Sequence, residues 1–239
     1  MKTYWSIPGP KDAHGGTCIA FYKYDGSNMR FEWSRKHGWY KFGTRYRVVT
    51  ADHHHWGPAF PLFQETMAQD FEKVFRDNPA YQRIERATVY CEFFGPSSFA
   101  GQHDWDEPKE LVVIDVSIHK RGIVLPADFV SLFGHIRIAE VVYEGPFDRN
   151  FVEGVRDGQY VDGEGIVAKG VKLGKNKNAQ HGLWMSKVKT KGWLDELKWH
   201  ASPCRLPRIP PKRLYHPHPG RFVQQLRQPP IRLPCLGFF

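Results

Sequence analysis

Four places in the 239-residue chain set charged side chains into stretches that otherwise read as β-strand. Lys23 ends an apolar run and precedes Tyr24-Asp25-Gly26; Glu92 sits inside Tyr90-Cys91-Glu92-Phe93-Phe94-Gly95; Glu164 and Lys169 bracket Gly165-Ile166-Val167-Ala168; Lys187 and Lys189 flank Val188. Residues two apart on a strand share a face, so Lys187 and Lys189 point together while Val188 points into a core. Two parallel lysines repel unless an anion lies between or above them. A nucleoside triphosphate supplies such an anion, and a carboxylate such as Glu164, or a bound Mg²⁺, completes the balance. The same cationic surroundings predict a lowered pKa for Lys23, whose neutral amine is then free to attack phosphorus.

The elements that must position these groups follow from pattern. Thr17–Tyr24 reads as a buried strand, and Met29–Ser34 as its neighbour across the Asp25-Gly26-Ser27 turn. Trp39–Phe42 reads as a short strand, with Arg45–Val49 extending the sheet. His53-His54-His55 is a surface loop, because three consecutive histidines cannot converge on one metal. Between Pro61 and Arg76, Leu62, Phe63, Met67, Phe71, Val74 and Phe75 recur at helical spacing and predict one amphipathic helix over a sheet face. Thr88–Phe94, Leu111–Ile118, Ile138–Tyr143, Val161–Val171 and Leu183–Thr190 read as strands, the last two flanking a lysine-rich loop at 172–178. Helices are expected near Ala127 and over Gly192–His200. Asp115, alone in an apolar strand, requires a buried partner.

Composition separates a body from a tail. Residues 201–239 hold nine of the eighteen prolines and seven Lys/Arg with no acid, so they supply seven of the net nine positive charges. Proline removes backbone donors, which predicts an extended or disordered segment there. The four cysteines show neither CxxC nor zinc-ligand spacing, and no apolar run approaches the length of a membrane span. A soluble cytoplasmic protein with reduced thiols is the expectation, with no membrane partner.

Taken in order, the motifs resemble those of the covalent nucleotidyltransferases, the superfamily of ATP-dependent DNA and RNA ligases and mRNA capping enzymes. Lys23-Tyr24-Asp25-Gly26 matches motif I (KxDG), Tyr90–Gly95 resembles motif III, Asp115 resembles motif IIIa, Glu164–Lys169 matches motif IV (EGxVxK), and Lys187-Val188-Lys189 matches motif V (KxK). Ser34-Arg35 resembles the Ser/Thr-Arg element downstream of motif I. Each motif is common by chance; five in order are specific. Asn28 extends motif I to KxDGxN, a form similar to the nick-sealing RNA ligases. Phe99-Ala100-Gly101-Gln102-His103 and Trp193-Leu194-Asp195-Glu196-Leu197 also resemble small, phage-like RNA ligases.

The resemblance implies an α+β fold: a nucleotidyltransferase (ATP-grasp-like ligase catalytic) domain over residues 1–200, with two packed antiparallel sheets and flanking helices, plus the Pro-rich basic tail at 201–239. It implies ATP as co-substrate with Mg²⁺ or Mn²⁺, and RNA with 5′-phosphate and 3′-hydroxyl ends as partner. Lys23 would be the nucleophile that carries AMP. Asp25, Gly26, Arg35, Glu92, Phe94, Lys169, Lys187 and Lys189 would bind nucleotide, Glu92 at the ribose and the three lysines at the α-phosphate. Asn28 and Arg35 would meet RNA, and Glu164 would hold the metal. Ile114 stands where the family commonly has an aromatic before the motif IIIa aspartate, which leaves base stacking to Phe94 or another ring. Tyr22 stands where the nick-sealing branch often has an acid. The 39 Pro-rich residues cannot build the five-stranded barrel that follows the catalytic domain in DNA ligases and capping enzymes. A DNA ligase or stand-alone adenylyltransferase is the nearest alternative, and a nucleic-acid-binding protein without catalysis is the other.

Overall fold

The computed structural model describes residues 3–11, 16–171 and 182–201. The lysine-rich loop and the Pro-rich tail from residue 202 onward, with Cys204 and Cys235, lie outside the described residues. Among the described residues ten strands form two antiparallel sheets, and five α-helices flank them, so the architecture is α+β as expected.

The smaller sheet has the order β10 (Leu183–Lys189), β9 (Gly165–Val171), β1 (Thr17–Lys23) and β8 (Val141–Pro146). The larger has the order β4 (Val48–Val49), β3 (Gly38–Thr44), β2 (Ser27–Ser34), β5 (Arg86–Phe94), β6 (Glu110–Ile118) and β7 (Gly122–Ile123). The expectation that β1 and β2 are neighbours is corrected. Their connecting turn crosses from one sheet to the other, and β1 instead pairs with β8 and β9. Lys23 therefore ends a strand at the junction of the sheets, with Gly165 opposite it on β9. Gly26 is required there, because a Cβ on it would come within 2.5 Å of the Phe93 carbonyl oxygen.

Alternation along β2 decides the layering. Met29, Phe31 and Trp33 point to the principal core, where Phe31 stacks on Phe63 at 4.0 Å between ring centres. Asn28, Arg30, Glu32 and Ser34 occupy the opposite, polar face. The amphipathic segment expected as one helix is two, α1 (Ala59–Thr66) and α2 (Ala68–Asp77), broken at Met67 with φ −140° and ψ −30°. The break lets Phe63, Phe71 and Phe75 all reach the same core, a requirement of packing that helical spacing does not reveal. The helix near Ala127 is α3 (Pro126–Phe133), with Pro126 in its first turn.

Two further boundaries differ from the expectation. Ile138 makes a single parallel bridge to Val113 of the larger sheet, and only from Val141 does the chain enter the smaller one, so the run at 138–143 serves both sheets. Helix α4 (Arg149–Arg156) escaped the pattern because Gly154 interrupts it. The Asp148 carboxylate caps it by accepting the Phe151 N–H at 2.8 Å, and Phe151, Val152 and Val155 bury against the smaller sheet. Helix α5 (Lys191–Ala201) follows β10 directly. Among the described residues no helix is long and apolar enough to cross a membrane.

Candidate nucleotide-binding site

A cavity of about 560 Å³ opens where the two sheets meet, large enough for a nucleotide. Strand ends supply its charged wall: Lys23 from β1, Asn28 from β2, Glu92 from β5, Glu164 just before β9, Lys169 within β9, and Lys187 and Lys189 from β10. The Glu164 carboxylate, 5% exposed, lies between two ammonium groups. Lys23 Nζ is 2.6 Å from its Oε2, and Lys189 Nζ is 2.9 Å from its Oε1. Gly165 fixes this placement, with φ +145° and space so close that a Cβ would meet the Val188 carbonyl oxygen at 1.9 Å.

The charges do not balance in the way the sequence suggested. Burial alone favours the neutral amine of Lys23, but Glu92, Glu164 and Asp25 together outweigh it and hold its pKa above the ordinary value. The expectation of a lowered pKa at Lys23 is corrected: Glu92 and Glu164 reach it from elements far along the chain and add to the neighbouring Asp25. The depressed lysine is Lys187, lowered by burial and then by Lys189 and Lys23 against the opposing pull of Glu164. Burial, with Glu164 and Asp25, pushes Glu92 up to about 7, while Lys23 and Arg45 resist. Glu92 can thus hold or release a proton near neutrality beside a lysine that must lose one.

Lys169 lines the cavity, yet its ammonium is committed to the protein: it donates to the Ile114 carbonyl at 2.6 Å and to Asp115 Oδ1 at 2.8 Å. This pair is the partner that Asp115 required. The other carboxylate oxygen accepts from the Tyr4 hydroxyl at 2.5 Å. Residues 3–8 form a strap along the cavity, joined to the larger sheet through Tyr4 and to the smaller through the Lys187 N–H, which donates to the Pro8 carbonyl at 2.9 Å.

Three expected site residues stand outside the cavity lining. The guanidinium of Arg35 donates to the carbonyls of Ile84, Phe75 and Tyr81, at 3.1, 3.1 and 3.3 Å, so its donors tie the β2 end to the segment around the second helix. Phe94 packs its ring on Tyr24 at 5.0 Å. Asp25 turns away and accepts from the Ala100 N–H at 2.9 Å and from the Trp193 indole N–H at 2.7 Å.

The sequence reading missed other lining groups. Arg45, Tyr46 and Arg47 form the tip of the β3–β4 hairpin, so only Val48–Val49 of the expected extension is strand. The Arg45 Nε and both amide atoms of Asn28 are buried with no hydrogen-bond partner, as groups are when they await a polar ligand. Arginines on either side of an aromatic between two strands were the available signal. Tyr4 and Trp56 also line the cavity, together with Ile114, Ala139 and Val167 on its apolar side. The histidine run lies in the turn before α1, where His55 stacks on Trp105 at 4.3 Å. Among the described residues no cluster of three His, Cys, Asp or Glu side chains suits a metal ion. One carboxylate is nonetheless sufficient for Mg²⁺, which takes the rest of its shell from water and substrate phosphates. Glu164 would hold such an ion in exchange for an ammonium group that it now pairs with.

Trp193 of α5 ties the site together. Its ring lies 3.6 Å beneath the Lys189 ammonium, and its N–H holds Asp25. Trp193→Phe keeps a ring and removes the donor. The expected loss is about 1–2 kcal/mol of folding stability in urea titration, with a further loss in Trp193→Ala, where Lys189 also loses its support.

Two antiparallel sheets with flanking helices and a cavity where the sheets meet make up a fold seen in solved RNA-ligase structures. No family model matches the chain, and no curated protein matches it. Among solved structures it is similar to those of the Naegleria gruberi RNA ligase. The pyrophosphate-bound form has 14% identity and a TM-score of 0.57, over 83% of this chain and 58% of that one. A ligand-free mutant has 12% identity and a TM-score of 0.58 over the same shares. A mutant bound to AMP and manganese has 14% identity and a TM-score of 0.56, again over 83% and 58%. The chain thus spans a little over half the length of that ligase.

Proposed function

We propose that the protein is an ATP-dependent RNA ligase that joins 5′-phosphate and 3′-hydroxyl ends through a lysyl-AMP intermediate. The observation that carries the reading is the convergence of Lys23, Glu164, Lys187 and Lys189 in one cavity, with Lys23 hydrogen-bonded to Glu164 at 2.6 Å. Lys23, once it has lost its proton, attacks the α-phosphorus of ATP; a P–N bond forms, the bond to the β-phosphate oxygen breaks, and pyrophosphate leaves. Lys187 and Lys189 lie where they offset charge on the phosphoryl oxygens. A divalent cation held by Glu164 would shield the triphosphate from the attacking amine. An oxygen of the RNA 5′-phosphate then displaces Lys23 from the adenylyl phosphorus. The 3′-hydroxyl attacks the activated 5′-phosphorus, closing the phosphodiester and expelling AMP. Asn28 would bind the RNA end, a reading supported by its unpartnered amide at the cavity wall.

Incubation with Mg²⁺ and ATP labelled at the α-phosphate tests this. Label that survives denaturation and is removed by added pyrophosphate is the expected result; folded protein that takes up none overturns the reading. Sealing of nicked DNA but not nicked RNA would make it a DNA ligase, and labelling without sealing a stand-alone adenylyltransferase.

A further inference from the structure

A second, smaller pocket of about 160 Å³ lies on the larger sheet, lined by Glu32, Tyr40, Arg86, Thr88, Ser117 and His119, with Lys120 at its edge. It occupies the same face of that sheet as the nucleotide cavity. In the register of β2 and β5, Asn28 stands opposite Glu92, Arg30 opposite Tyr90, Glu32 opposite Thr88 and Ser34 opposite Arg86, with no bulge between these two strands. The even-numbered residues of both strands therefore share one face. Between the two pockets Arg30 and Tyr90 are buried under the N-terminal strap, where Arg30 donates to the Thr3 hydroxyl and Tyr90 packs on Tyr4, so a strand that reaches both pockets passes over the strap. At about 3.3 Å per residue, Glu32 lies about 13 Å along β2 from Asn28, and Arg86 about 20 Å along β5 from Glu92.

The chemistry of the pocket is uneven in a useful way. Arg86 is exposed and forms no ion pair among the described residues; its nearest polar contact is the His119 imidazole at 2.9 Å. Lys120, also exposed, adds a second cation with no ion pair among the described residues. Against these stands one carboxylate, Glu32, 9% exposed, which accepts from the Tyr40 hydroxyl at 3.1 Å. A bare anion would be repelled by Glu32, and a bare cation by Arg86. A ribose-phosphate unit satisfies both, its phosphate on the Arg86 fork and its 2′-hydroxyl donating to the Glu32 carboxylate.

The geometry points to this pocket as a subsite for the ribose-phosphate backbone of the RNA substrate, on the same sheet as the nucleotide cavity and separate from it. The inference rests on the ligase reading of the nucleotide cavity and adds to it a residue pair that selects ribose over deoxyribose. None of the six lining groups belongs to the nucleotide cavity.

The test uses the full chain and a nicked RNA duplex, read by fluorescence anisotropy across a salt series, with ATP labelling as a control. Arg86→Ala is expected to label Lys23 as wild type does, to bind the nicked RNA about five- to tenfold more weakly at physiological salt, and to lower the salt slope by about one. Glu32→Gln keeps the shape and is expected to narrow the preference for RNA over the matching DNA duplex by about twofold or more. In wild type, single 2′-deoxy substitutions walked along the strand should weaken binding at one position away from the nick, and that dip should shrink in Glu32→Gln, whose amide oxygen accepts more weakly than a carboxylate. Unchanged affinity and salt slope in a folded Arg86→Ala protein would overturn the subsite. Failure of ATP labelling in wild type would instead overturn the ligase reading, and the binding series would still report on the pocket by itself.

Discussion

Lys23→Ala should take up no covalent label from α-labelled ATP, a loss of more than about 10³-fold, which is the scale on which removing a covalent nucleophile acts. The variant should stay folded. Glu164 retains Lys189 at 2.9 Å, and Glu92, whose pKa Lys23 now holds down, answers the loss of that cation by keeping a proton. Thermal melting beside the labelling assay separates a missing nucleophile from a missing fold. Lys187 is the rival amine, because burial, Lys189 and Lys23 lower its pKa while the carboxylates raise that of Lys23. Position decides for Lys23: it ends a strand at the junction of the sheets, beside a carboxyl pushed up to about 7 that can hold its proton near neutral pH. Label retained in Lys23→Ala and lost in Lys187→Ala would transfer the role.

Asp115→Ala should cost about 3–5 kcal/mol of folding stability, the range for removing one partner of a buried ion pair. Asp115 is 1% exposed and Lys169 3% exposed, so little water can replace the lost carboxylate. The substitution leaves the Lys169 ammonium with the Ile114 carbonyl and the Phe21 and Phe129 rings, and the Tyr4 hydroxyl without its carboxylate acceptor. Tyr4 anchors the strap over the cavity, so the loss should also loosen the N-terminal segment, visible as faster amide exchange at residues 3–8. Replacing both partners, Asp115→Leu with Lys169→Met, should recover much of the stability, because no buried charge is then left unpaired. Urea titrations of the two single variants and the double variant check this; strictly additive losses would mean that the pair is not coupled.

Much of the chemistry was legible from local pattern. Lys187 and Lys189 point together as period-two alternation requires, and both reach the cavity. The buried Asp115 announced a partner through the desolvation cost of a carboxylate, and Lys169 is that partner. Arg35 shows where such reading stops. Its spacing from Lys23 suggested a substrate contact, but its planar fork satisfies three carbonyls at the end of β2, while Arg45, on a hairpin tip, faces the cavity with an unpartnered Nε.

The sequence by itself determined most of the strands and which side chains share a face, and with them the lysines and acids that line the cavity. Those properties depend on neighbours one to four residues apart. Only the tertiary structure decided that β1 and β2 part into different sheets, that the distant Glu92 and Glu164 join Asp25 to raise rather than lower the pKa of Lys23, and that Lys169 is held by Asp115. Each of these depends on through-space contact between elements far apart in the chain, where burial and charge act over a few ångströms and local spacing carries no record of them.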